Sequence, residues 1–177
     1  DPEMLEFVSG GEEVEPGRVL VQSSEAEGNE FRRMMNFTPL MGGDTEIRIE
    51  EARINAGDGV VTAAAASVPV GIAVPSGCAL DGITVNGIPV SGFPGDTTEY
   101  TVDLEDYTEQ ADIQLLPEDI NAQISDTQLS EGENVIYIVT TDSEGDQARY
   151  TLYVNCPEEA VAADTTPYQK NNQNQRK

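Results

Sequence analysis

The stretch Asp142-Ser143-Glu144-Gly145-Asp146 sets three carboxylates at alternate positions. Oxygen-only ligands at that spacing could hold Ca2+, a hard cation that draws on carboxylates, carbonyls and water. The stretch lacks the length and the terminal Glu of an EF-hand loop. It also falls between two strand-like runs, where a hairpin turn calls for Asp and Gly on conformational grounds. We read it as a turn and keep Asp142, Glu144 and Asp146 as weak metal candidates, with Ca2+ the one cofactor they could bring. Asn55 to Gly59 is weaker still.

Other chemistry is removed by residue type. The sequence contains no His, which excludes Ser-His-Asp and Cys-His nucleophiles and His-based zinc sites. The two cysteines, Cys78 and Cys156, make no Cys-x-x-Cys motif, so nothing points to a catalytic or metal role for either. Paired carboxylates could serve glycoside hydrolysis. That chemistry needs a cleft flanked by sugar-stacking rings, and here 4 Phe and 6 Tyr are scattered and Trp is missing. The expectation is a protein that is not an enzyme and has no catalytic residues.

Lys and Arg number 9 against 33 Asp and Glu, a net charge of −24. Residues 78–156 hold a single base, Arg149, while 157–177 are neutral overall. A surface this acidic repels phosphate backbones, so nucleic acid is excluded as a partner. It suits solubility outside the cell, cation binding or a basic partner. No run reaches the ~18 apolar residues of a membrane span; the Ala-rich stretch from Val60 to Val74 is broken by Ser67, Pro69 and Gly71.

One compact patch joins basic and apolar side chains: Arg32, Arg33, Met34, Met35 and Phe37. On a strand, alternate residues point the same way, so Arg33, Met35 and Phe37 would share a face. They are the candidate partner-binding set. The competing reading, which we favour, is a core strand with the arginine stem lying along the sheet edge.

The elements that must position these residues are strands. Thr45 to Ile54 begins with period-two alternation, one face apolar and one charged. Met4 to Val8, Ile83 to Val85, Tyr100 to Leu104, Asn134 to Thr140 and Arg149 to Val154 are further strand-like runs. Asn134 to Thr140 is β-branched and aromatic, the composition of a central strand buried on both faces. In Met4 to Val8, Leu5 and Phe7 should face the core together, with Met4, Glu6 and Val8 on the other side. Gly145 turns the last hairpin. Short strands with Gly, Pro and Asp turns argue for an all-β protein of β-sandwich type. The 177 residues suit one average domain or two small ones. The Pro75–Gly77 joint separates halves 1–74 and 78–156, and the polar, Asn/Gln-rich 157–177 reads as a disordered, flexible tail.

Residues 78–156 resemble the cadherin-like β-sandwich module of bacterial surface and secreted proteins. The motifs that carry the resemblance are Leu80-Asp81-Gly82-Ile83-Thr84-Val85-Asn86-Gly87, Phe93 to Val102, Leu129 to Ile138 and Tyr150 to Val154. The resemblance implies an Ig-like sandwich without a calcium clamp. Residues 1–74 look like the later part of a cohesin-like domain, a jelly-roll related to some carbohydrate-binding modules. Here the matching pieces are Asp1 to Val8, Phe31 to Phe37, Gly43 to Ile49 and Asn55 to Gly59. In that family the Asp-Pro stretch follows about two strands. The resemblance therefore implies an N-terminally incomplete domain here, with those strands and a secretion signal upstream of Asp1, and an open sheet edge that another chain could cover.

Within the cadherin-like resemblance Cys78 and Cys156 bracket the module. If its termini run side by side, a disulfide between them is natural in a secreted protein; if the termini lie at opposite ends, both thiols stay free. The bridge is the expectation. Together the resemblances imply two sandwiches in tandem in an extracellular or cell-surface bacterial protein. Its cohesin-like half would bind a protein module (dockerin-like) or a polysaccharide, and its cadherin-like half would act as spacer. The alternatives are a purely structural stalk or an accessory fragment of a glycoside-acting enzyme.

Overall fold

The computed structural model describes residues 1–22, 32–56, 59–93, 95 and 97–159, with backbone alone at 54–56. Its regular structure is β, with one 3-10 turn at Ser76–Cys78 and no α-helix among the described residues. Among the described residues no helix is long and apolar enough to cross a membrane.

The second half holds the core. Its strands are β9 (Gly82–Val85), β10 (Ile88–Pro89), β11 (Glu99–Asp103), β12 (Ile113–Leu116), β13 (Ala122–Ile124), β14 (Gly132–Thr141) and β15 (Gln147–Cys156); eight strands of the first half precede them. They build two sheets, β10-β9-β12 and β11-β15-β14-β13. Between the sheets lie Leu80, Ile83, Val85, Val102, Ile136, Ile138, Leu152 and Val154, all buried. Alternation explains the choice: on β14, Ile136, Ile138 and Thr140 point inward and Val135 and Tyr137 outward. Fully burying each aliphatic side chain contributes roughly 1.5–3 kcal/mol. Asn86 and Gly87 both take positive φ, 51° and 78°, the two-residue turn that matches strand twist where Val85 faces Ile88.

The long hairpin comes out as expected, β14 against β15 from Thr141↔Gln147 to Gly132↔Cys156, with Gly145 at φ 93° in its turn. The reading of Asn134–Thr140 as buried on both faces is corrected: Tyr137 is 42% exposed. β11 lies parallel to β15 at the sheet edge, and Val135 and Tyr137 on the outer side of β14 are both exposed.

The first half is built differently. β1 (Leu5–Ser9), β2 (Glu12–Glu15), β3 (Arg18–Leu20) and β4 (Asn36–Pro39) form two-stranded ribbons, β1 with β4 and β2 with β3. β5 (Gly43–Ile49), β6 (Ala52–Ala56), β7 (Gly59–Ala63) and β8 (Ala66–Ile72) form one extended arm, β6 with β7 beyond β5 with β8. The single strand expected from Thr45 to Ile54 is thus interrupted at Glu50 and Glu51. Among the described residues of 1–74, Met4 is the one large apolar side chain that is fully buried. It precedes β1 rather than lying on its outer face, which corrects the expected orientation. Leu5 and Phe7 do share a face, half-buried, opposite Pro39 and Phe37.

The two halves are stitched at one place. Gly42 N–H donates to Gln147 O at 2.8 Å and Arg149 N–H to Gly42 O at 2.9 Å, a parallel bridge beside Ala148. The chain then leaves the edge of β15 as β5, and β11 takes that edge from Glu99 onward.

Candidate functional site

At this root, polar groups converge. Asp44, the second residue of β5, turns its carboxylate to the chain entering β11. Its Oδ2 accepts from Thr98 N–H at 2.7 Å and from the Thr97 hydroxyl at 3.0 Å. Asp44 N–H donates back to Thr98 Oγ1 at 2.8 Å. These hydrogen bonds tie the start of β5 to the chain entering β11.

Beside Asp44 opens a cavity of about 450 Å³, whose walls include Gly71, Leu80, Phe93, Thr98, Tyr100 and Tyr150. Phe93 stacks on Tyr100 with centroids 4.2 Å apart and tilts toward Tyr150 at 6.2 Å. The tyrosine hydroxyls are occupied: Tyr100 donates to Thr97 O at 2.6 Å, and Tyr150 accepts from Leu80 N–H at 3.0 Å. Burial pushes both phenols above their ordinary range, helped by their mutual repulsion at Tyr100. The rings therefore line the cavity as neutral apolar walls. A mostly apolar cavity between two structural units with one convergent charged group has the make-up of a binding site.

The arm offers a second feature. Register places Thr45, Ile47 and Ile49 of β5 on one face with Ala66, Val68, Val70 and Ile72 of β8, and puts Asp44, Glu46 and Arg48 on the other. Val68 is 62% exposed and Ile49 51%. A two-stranded ribbon is marginal in water by itself, and an aliphatic face on one is a surface made for packing.

The residues singled out from sequence fare differently. Cys78 and Cys156 are both free and buried, which corrects the expected disulfide. Cys78 lies where Thr140 donates to its carbonyl at 2.8 Å, at the turn end of β14 and β15. Cys156 faces Gly132 at the other end. The stretch of β15 between those levels spans about 27 Å at roughly 3.4 Å per residue, far beyond the ~7 Å Cα separation a disulfide tolerates. Each thiol instead points to a carbonyl, Asp146 O for Cys78 and Thr108 O for Cys156.

Asp142 forms the turn that its neighbours suggested: its Oδ1 accepts the N–H groups of Glu144 and Asp146, each at 2.9 Å. Among the described residues no three Asp, Glu or Cys gather as a metal would need. Arg33 and Met35 precede β4 rather than lying on a strand with Phe37, so the shared face expected for the three is corrected. Arg33 Nε donates to Gly10 O at 3.1 Å, and Phe37 packs edge-on against Phe7 at 5.7 Å. Phe31, Gly57, Asp58 and the tail from Ala160 lie outside the described residues.

Sequence reasoning missed Asp44 and Thr98, which are 54 positions apart and share no motif. It also passed over the arm's apolar face, although Val68, Val70 and Ile72 alternate with Pro69 and Gly71. Compared with protein-family models, with curated proteins and with solved structures, the chain matches none.

Proposed function

We propose that this chain is a non-catalytic, extracellular assembly module of a bacterial surface or secreted protein. In this reading the half 78–156 is a cadherin-like spacer, and the half 1–74, cohesin-like in character, presents the arm to a protein partner. The observation that carries the reading is the aliphatic face of β5 and β8, with Ile49 and Val68 more than half exposed at the end of a firmly anchored root. The sequence supports the non-catalytic part through its lack of His. Of the two partner classes that the resemblance implies, aliphatic side chains favour a protein module; sugar platforms rely on flat rings. Strand addition along the open edges of the ribbon would add main-chain hydrogen bonds to that contact.

The test compares the native chain with a double variant, Ile47→Glu and Val68→Glu, in calorimetric titrations against a panel of dockerin-like modules and in retention on insoluble polysaccharides. Saturable binding of a module, lost in the variant while the half 78–156 melts unchanged, is the expected result. Retention on polysaccharide that the variant preserves, or failure to bind any module, would overturn the reading.

A further inference from the structure

We infer that the cavity at the root of the arm receives a basic side chain, lysine or arginine, presented by the partner, with Asp44 as its counter-ion. The inference rests on the assembly reading for the existence of that partner and adds a chemical feature to it.

The cavity asks for a positive charge on an apolar stem. Asp44 Oδ2 holds Thr97 and Thr98, but its Oδ1 makes no hydrogen bond among the described residues. That oxygen lies 3.4 Å from where a Cβ on Gly71 would stand, so the missing side chain at 71 keeps its approach open. Among these ion pairs none uses Asp44: Arg48 pairs with Glu46 on its own strand, Arg53 with Glu51 just before β6, Arg18 with Glu15 and Glu50, and Arg149 with Asp1 and Glu3. Phe93, Tyr100 and Tyr150 supply the apolar and ring surface along which a four-carbon or guanidinium stem lies favourably. The surrounding net charge of −24 draws cations toward the opening. The volume, about 450 Å³, exceeds one side chain, which leaves room for the backbone that carries it.

The experiment follows amide shifts of Gly71, Leu80 and Thr98 by NMR during titration with three probes: N-acetyl-lysine methylamide, N-acetyl-arginine methylamide and the neutral N-acetyl-norleucine methylamide. At least one cationic probe should give saturable shifts in the millimolar range, and norleucine should bind at least about tenfold more weakly. Asp44→Asn should abolish that preference. Because Asp44 also seats β5, Gly71→Val is the second variant; it fills the space beside Oδ1, leaves the contacts to Thr97 and Thr98, and should block all three probes. Equal binding of norleucine, or no saturable shift with either cation, overturns the inference while leaving the arm variants to judge the assembly reading separately.

Discussion

The guanidinium of Arg149 lies 2.8 Å from the carboxylate of Asp1, across the boundary between the two halves of the chain. Arg149 is the one base in residues 78–156, and its side chain is 10% exposed. Glu3 approaches the same nitrogen at 3.5 Å, and the Tyr137 ring lies 5.0 Å below the guanidinium. The outward face of β15 is therefore covered locally by residues 1–4, and Met4 is buried beside Gly43 in the same place. An ion pair and a buried thioether together fix the first half to the second, and the Tyr137 ring, in the same half as Arg149, lies against the guanidinium that makes the pair.

Arg149→Met keeps the stem and removes the charge. Asp1 and Glu3 can return to water, so the loss is that of a charge-assisted contact, about 1.5–3 kcal/mol. Hydrogen exchange should quicken at Leu5, Leu40 and Gly42 and stay slow at Ile138 and Leu152. Unchanged exchange at Leu40 and Gly42 would show that the ion pair contributes nothing to the docking.

Met4→Ala and Phe7→Ala reverse the order that sequence alone suggests. Met4 is wholly buried, so its truncation should cost about 2–5 kcal/mol of the docking energy. Phe7 is half-buried on a two-stranded ribbon, and losing its edge-on contact with Phe37 should cost about 0.5–1.5 kcal/mol beyond the area lost. Denaturant melts of the two variants, followed by exchange at Leu40, decide the order; a larger effect for Phe7 contradicts it.

The thiols make a chemical prediction. Mass analysis without reductant should find Cys78 and Cys156 unbridged. Alkylation of native protein should be slow, because both are buried, and at Cys78 burial raises the thiol above its ordinary value of 9.0. A bridged species in the native monomer would show that the ends of the hairpin are not where the register puts them.

Stability should fall in alkali. The Cys78 thiol and the Tyr100 and Tyr150 phenols are all raised by burial from 9.0 and 10.0, so the folded state holds these protons more tightly than the unfolded state does. Their contribution is whole below the unfolded values and is lost as pH climbs through the folded ones. Chemical melts of the native chain should therefore weaken progressively above about pH 9, whereas Tyr150→Phe should flatten the upper part of that decline. A decline as steep in Tyr150→Phe as in the native chain would remove Tyr150 from the account.

Much of the second half was legible because its chemistry is local. Asn86-Gly87 and Gly145 mark their turns by residue type, whereas the β-branched and aromatic run Asn134 to Thr140 showed a strand without showing that only Ile136, Ile138 and Thr140 face the core. The first half was less so. Its strands follow from alternation in Thr45 to Ile49, but alternation names a face without naming what packs on it, and the described residues pack little there. The pairing of Asp44 with Thr98 and of Arg149 with Asp1 joins positions far apart in sequence, and only the course of the chain brings them together. The cysteines misled for the same reason: flanking a module says nothing about which ends of its strands meet.

Gly43 tests the stitch itself. It is the first residue of β5, has φ 130° and would place a Cβ 2.6 Å from Arg149 O and 3.1 Å from Thr98 Oγ1. An L side chain meets strain there in two ways, from the backbone region and from a carbonyl that is itself part of the sheet. Gly43→Ala should therefore cost of order 1–3 kcal/mol, and the cost should fall on the junction rather than on the core of the second half. Exchange should rise at Gly42, at Arg149 and at Asp44, whose N–H donates to Thr98 Oγ1, while Ile138 and Leu152 keep their protection. A variant whose junction amides exchange as slowly as the native ones would mean that β5 leaves β15 by a route with room for a methyl group, and the anchoring of the arm would need another explanation.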